Sequence, residues 1–246
     1  MYDPPDYLWA IIIAGPTAIA ASTCIVLYGG ARRAGLSRSR AALLAGAAAV
    51  LIGGWLTATG LIAGRGWYRT LPWFPIAAAG FLVTLLALSQ VPVVARALTA
   101  PGMASRLVLP HSFRVAGVAF LWYMALGHLP ALFALPAGLG DITVGIAAPF
   151  VARRLAQGKG RRAALWFNEF GITDLVTALT LGALTAFQLI NITPSSAPIA
   201  ELPLALIPTA TVPLLFVLHI TSMTGLVRAP RPALSAVDTL ASGAAN

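Results

Sequence analysis

Charge is what this sequence has least of. Only 9% of its 246 residues are charged, against about 25% in soluble domains, and 59% are hydrophobic. Mean hydropathy is +0.85. So few charges cannot cover a water-soluble globule of this size, so lipid is the expected outer solvent. Acidic residues are scarcer still, seven against sixteen Lys and Arg, and Lys159 is the one lysine. Cys24 is the one cysteine, which excludes an intrachain disulfide and a Cys-based metal site. It lies in an apolar run and reads as a small buried hydrophobe. The sequence has no H-E-x-x-H and no G-x-S-x-G, so a zinc-protease helix and a serine-hydrolase elbow are excluded. No Walker or dinucleotide glycine pattern opens a soluble domain. The last apolar run has no lysine, which excludes a retinal Schiff base.

What is present is a series of apolar runs, each near the roughly 20 residues that a membrane crossing needs. They predict an all-α polytopic membrane bundle with spans at about 7–28, 41–63, 75–94, 110–128, 130–154, 163–190 and 203–227. Residues 228–246 read as a short disordered tail. The opening MYDPPDYLW is acidic where a secretory signal is basic, so the first run is expected to stay as a span. Span five is expected to start at Pro130, with Pro136, Gly138 and Gly140 kinking or breaking it. Gly46, Gly53, Gly54 and Gly60 give span two small residues for close helix packing.

The net charge of +9 is spread as short arginine clusters between apolar runs, so nucleic-acid binding is not expected. The loops after spans one, three and five, with the tail, hold thirteen Lys and Arg; the loop after span two holds only Arg65 and Arg69. The positive-inside rule then places the N-terminus outside and the C-terminus in the cytoplasm. The Ala-, Gly- and Arg-rich composition points to a bacterial plasma membrane.

Acidic residues inside such spans mark candidate sites, because a carboxylate in the bilayer is costly. Asp141, Glu169 and Asp174 are the three. Asp141 lies about eleven residues into span five, and Asp174 about as far into span six from the other side. At 1.5 Å per residue both come near midplane on neighbouring antiparallel helices. Glu169, Thr173, Thr177 and Thr180 repeat at helical spacing, a polar stripe expected to face the bundle interior, with Asn168 and Asp174 beside it. In span four, His111, Arg114, Val118, Leu121, Ala125 and His128 share one α-helical face. Arg114 is expected to pair with Glu169, and His219 of span seven falls in the same layer. The expected cluster is therefore Arg114, Asn168, Glu169 and His219, leading up to Asp174 and Asp141.

Gly138-Leu-Gly-Asp141-Ile-Thr-Val-Gly145-Ile also echoes Gly171-Ile-Thr-Asp174-Leu-Val-Thr-Ala178-Leu, 33 residues on. Inverted repeats with midplane sites are a transporter habit. FALPAGLGDITVG and the N-x-x-G-x-x-D pattern that follows resemble small multi-pass bacterial membrane proteins, a resemblance that implies no activity. The leading expectation is a small proton- or ion-coupled transporter using Asp141, Asp174, Glu169, Asn168, Arg114, His219, Thr173 and Thr177 as its pathway. Its partners would be the bilayer and a small solute or proton. One alternative is a non-catalytic membrane subunit or assembly factor, with a homo-oligomeric or membrane partner. The other is a membrane-embedded enzyme or b-type cytochrome acting on a lipid-like substrate. No metal and no cofactor is expected; in the cytochrome version His111 and His219 would be the haem b ligands.

Overall fold

The computed structural model describes residues 4–228. Every regular element among them is helical. In chain order these are α1 (Asp6–Arg33), α2 (Arg38–Gly64), α3 (Trp73–Ser89), α4 (Pro92–Thr99) and α5 (Met103–Val108). A nine-residue 3₁₀ helix (Leu109–Gly117) runs into α6 (Val118–Ala125), followed by α7 (Ala131–Ala156) and α8 (Arg161–Ala186). A π-helical turn (Ile207–Thr211) then leads into α9 (Val212–Arg228). The segment expected to be a disordered tail lies outside the described residues, apart from Arg228 at the end of α9.

Five helical units are long and apolar enough to cross a membrane: Asp6–Arg33, Arg38–Gly64, Met103–Ala125, Ala131–Ala156 and Ile207–Arg228. A sixth is obtained if α3 and α4, which meet at 82°, form one broken span. α8 has span length, but Asn168, Glu169 and Asp174 interrupt its apolar run.

Several helix ends follow from proline chemistry. Pro130 is the N-cap of α7, and of the kink or break expected at Pro136, Gly138 and Gly140 there is no break: the helix is continuous from Ala131 to Ala156. The expected third span ends early. α3 stops at Ser89, and Pro92 restarts the chain as α4 in a new direction, because the residue before a proline is pushed out of the helical region. Pro213 lacks the N–H that would bond to the Thr209 carbonyl four residues back. That carbonyl instead accepts from Trp55 Nε1 at 2.8 Å, which ties α2 to the π turn. Trp55 also stacks on Phe81 of α3, with ring centroids 5.0 Å apart. Next to this contact, Thr59 bonds to both Tyr68 Oη (2.6 Å) and Thr209 Oγ1 (2.8 Å).

The fourth crossing departs furthest from expectation. It starts at Met103, not Pro110, and its centre is wound as 3₁₀ helix. With three residues per turn, side chains at i and i+3 eclipse. The buried strip is therefore His111, Arg114, Gly117, Phe120 and Tyr123. The α-helical face expected from the sequence held Ala125, which is exposed, and His128, which lies beyond the end of α6. The 3₁₀ strip packs against α1 and α7, and α7 packs in turn on α8.

Candidate functional site

Arg114 is the centre of the buried polar network. Its guanidinium carries donors only, and all three nitrogens are engaged. Nε donates to Asp141 Oδ1 of α7 at 2.6 Å, Nη2 donates to Asp174 Oδ2 of α8, and Nη1 lies 3.2 Å from His219 Nε2 of α9. The Arg114 side chain is 1% exposed, that of Asp141 15% and that of Asp174 8%.

The donor inventory assigns the next links. Because Arg114 can only donate, His219 Nε2 accepts and the imidazole proton lies on Nδ1. Nδ1 then donates to Asn168 Oδ1 at 3.0 Å. The Asn168 amide donates to the Ala164 carbonyl (2.8 Å) and to Ser222 Oγ (3.2 Å). The network therefore runs from Asp141 through Arg114, with Asp174 at its side, to His219, Asn168 and Ser222. His219 and Ser222 are i and i+3 on α9, and both are fully buried.

Glycines make room for these side chains. A Cβ on Gly117 of the 3₁₀ helix would meet the Asp141 side chain, one on Gly140 the Asp174 carboxylate, and one on Gly171 the His219 ring. Gly145 lets α7 approach the backbone of Val115, beside Arg114. The two G-x-x-D stretches thus each place an acid and a small residue near the same contact, and the acid of one helix lies over a glycine of its neighbour.

Beside Asp141 and Arg114 is a cavity of about 30 Å³, bordered by Pro16 of α1, Gly117, Leu175, Thr211 and Leu215. It is large enough for about one water molecule. It lies where the proline-bearing α1 meets the π turn, and π turns recur at functional sites.

His111 occupies the other side of His219. The rings stack with centroids 3.8 Å apart and planes 28° apart, and Phe167 packs edge-on against His111. His111 is fully buried, and neither of its ring nitrogens has a hydrogen-bond partner among the described residues. The two imidazoles lie face against face, not with their nitrogens turned towards a shared gap. His111→Phe keeps the stack and removes two unpaired polar atoms. It is expected to leave the melting temperature unchanged or to raise stability by about 1 kcal/mol, read by thermal unfolding in detergent. A clear loss of stability would show that the imidazole nitrogens are satisfied in the folded protein.

The structure brings together Arg114, Asp141, Asp174, Asn168 and His219. It does not bring in Glu169: the expected Arg114–Glu169 pair is replaced by the two aspartates, and Glu169 is exposed on α8. The polar stripe is turned the other way too, with Thr173 and Thr180 exposed and Thr177 half-buried. The reason is packing. α8 presents Ala164, Phe167, Asn168, Gly171 and Leu175 inward, because the glycine and alanine faces let α7 and α9 come close. Ser222, and the packing role of Gly117, Gly140 and Gly171, escaped the sequence reading. The i, i+3 spacing of His219 and Ser222 was the available signal for the first.

A helical bundle of membrane-spanning type built round an ion-paired arginine is the class that fold and site define. The chain belongs to the family described as Domain of unknown function (DUF8737), whose model matches residues 71–227. That stretch includes every residue of the network from His111 to Ser222 and leaves α1 and α2 outside it. No curated protein and no solved structure matches the chain.

Proposed function

We propose that this protein is a small proton-coupled membrane transporter in which Asp141, Arg114 and Asp174 form the proton-binding element. One observation carries the reading: a single arginine is held between two carboxylates inside the bundle, beside a cavity of one-water size. With both carboxylates ionised the triad has a charge of −1 (one positive, two negative). A net charge buried at membrane depth is costly, and one proton on either carboxyl removes it. Protonating Asp141 also halves the counter-charge on Arg114 and leaves it to Asp174, so proton binding is coupled to which helix holds the arginine. The small cavity favours a proton or a water over a bulky solute at this point.

His219, Asn168 and Ser222 extend the path away from the cavity. The π turn and the Trp55–Thr209 bond supply a helix segment whose hydrogen bonding differs from that of its neighbours. In this reading the chain crosses the bacterial plasma membrane seven times, counting α3 with α4 as one broken crossing and α8 as another. The N-terminus is outside and the arginine-rich turns are cytoplasmic.

The test is potential-driven proton uptake into proteoliposomes, read with a lumenal pH dye. Asp141→Asn and Asp174→Asn are each expected to cut the flux at least tenfold, and Glu169→Gln to leave it near wild type. Wild-type flux no greater than that of empty liposomes, or full flux in the double asparagine variant, overturns the reading. A second reading, a subunit that holds a membrane partner or a second copy, is favoured by the outward polar face of α8, where Glu169 and Thr173 are exposed. A stoichiometric partner lost on Glu169→Leu would support it.

A further inference from the structure

A second ion pair lies outside the Arg114 network, where α2 and α8 end. Arg69 closes a 3₁₀ turn (Trp67–Arg69) between α2 and α3, and Glu201 follows another (Ala197–Ala200) between α8 and the π turn. Arg69 Nε and Glu201 Oε1 are 2.9 Å apart, and the side chains are 44% and 23% exposed, so water reaches both. An ion pair this exposed contributes little stability. Both residues line a pocket of about 180 Å³, about six times the cavity beside Asp141. That is below the range of drug-sized sites, about 300–1,000 Å³, and suits a small solute.

The rest of the lining is mainly apolar, with Phe74, Phe187 and Ile199 in it. Tyr68 is the one other polar side chain there, and its hydroxyl is taken by Thr59. The side-chain contacts open to a ligand are therefore one cation and one anion, side by side. Their pairing uses one nitrogen of Arg69 and one oxygen of Glu201. Arg69 Nη1 and Nη2 and Glu201 Oε2 have no partner among the described residues. The terminal nitrogens of a guanidinium can hold a carboxylate bidentately, and a free carboxylate oxygen accepts from an ammonium. A solute with a single charge serves only one of the two residues and leaves the other facing it unserved. A zwitterion serves both without breaking the pair.

We propose that this pocket binds a zwitterionic amino acid with a small apolar side chain, its carboxylate on Arg69, its ammonium on Glu201 and its side chain against Phe74 and Phe187. The proposal rests on the proton-coupled reading in one respect only, that the bound solute is the one transported. A buried hydrogen-bond chain joins the pocket to the proton-binding element. Thr59 donates to Thr209 Oγ1 (2.8 Å), so its one hydroxyl proton is committed and Tyr68 Oη is the donor to Thr59 (2.6 Å). Tyr68, Thr59 and Thr209 are all buried. Thr209 lies in the π turn, whose Ile207 and Thr211 border the cavity beside Asp141. A solute against Tyr68 thus bears on the segment next to the proton-binding carboxylate.

The test is equilibrium binding of radiolabelled L-valine to the purified full-length protein in detergent, read by scintillation proximity. Isovalerate is valine without its ammonium, and isobutylamine is valine without its carboxylate. Each is expected to displace the label at least tenfold more weakly than unlabelled L-valine. Arg69→Gln and Glu201→Gln change partly exposed side chains and are each expected to weaken valine binding at least tenfold. Ala186→Phe, which fills the pocket from the end of α8, is expected to do the same, and the two glutamine variants keep the test sharp if it folds poorly. Arg65→Gln, exposed and outside the pocket, is expected to bind as wild type. Absence of saturable valine binding by wild type, displacement by isovalerate or isobutylamine equal to that by valine, or unchanged binding in both glutamine variants would each overturn the proposal. Binding in detergent needs no proton gradient. Valine that binds but is not accumulated by proteoliposomes under an imposed pH gradient supports the site and counts against the proton-coupled reading.

Discussion

Arg114→Met is expected to lower the stability of the folded bundle by about 3–5 kcal/mol, enough to leave a marginal membrane protein largely unfolded in detergent. The arginine side chain is 1% exposed and pairs with two carboxylates on two different helices. Removing it leaves Asp141 and Asp174 close together with no counter-charge, and each loses a charge-assisted hydrogen bond. His219 Nε2 loses the N–H of Arg114 that it accepts as well. The triple variant Arg114→Met, Asp141→Asn, Asp174→Asn separates this from simple loss of packing. It removes the whole ion set, and it should regain most of the stability, because a buried ion pair contributes little net stability against neutral side chains of similar volume. Thermal unfolding in mild detergent checks both. If the single variant melts within a few degrees of wild type, the three side chains are not the buried ion cluster described above.

Gly140→Ala is expected to be the most damaging of the conservative changes. The added Cβ would overlap the Asp174 carboxylate where it meets Arg114. Either α7 and α8 separate or Asp174 leaves the guanidinium. Overpacking of this kind costs about 1–3 kcal/mol, and here it also pulls apart the triad, so proton flux is expected to fall at least tenfold. Gly171→Ala should act in the same direction through His219. Gly46→Ala is the control. It lies in α2, where a Cβ meets nothing within 4 Å, and an alanine in a helix interior is favoured over glycine by up to about 1 kcal/mol. It should melt at or above the wild-type temperature and keep its flux. Equal behaviour of Gly46→Ala and Gly140→Ala would mean that close approach of α7 and α8 does not hold the site.

The network also explains why polar residues in these helices do not all belong to one site. Asn168 and Glu169 are adjacent in sequence, yet one is fully buried and the other exposed. Neighbouring residues on a helix are 100° apart, so a polar pair cannot both point into the same contact. A threonine at regular spacing is weak evidence for an interior face, since threonine can satisfy its hydroxyl on its own helix. Thr143, for example, bonds to the Leu139 carbonyl at 2.7 Å while remaining exposed. The two aspartates have no such local outlet inside α7 and α8 and are drawn to the arginine.

What the sequence by itself determined is an all-helical chain with runs long and apolar enough to cross a membrane, and a helix position for each acid. Scarce charge and long apolar runs demand helices that satisfy their own backbone in lipid. Counting residues from Pro130 and from the basic turn before α8 puts Asp141 and Asp174 each about a dozen residues into neighbouring helices, and the tertiary structure brings both to one guanidinium. What only the tertiary structure decided is who pairs with whom. Arg114 lies 27 residues from Asp141, 60 from Asp174 and 105 from His219. Periodicity reports the average environment of a helix face and does not choose among partners at such separations. The choice was made by backbone approach. Gly117, Gly140 and Gly171 open space at three contacts, and the 3₁₀ winding of 109–117 rotates His111, Arg114 and Gly117 onto one line. An α-helical period of 3.6 cannot anticipate that rotation, because the tighter winding is sustained by packing against α1 and α7, which the local sequence does not contain.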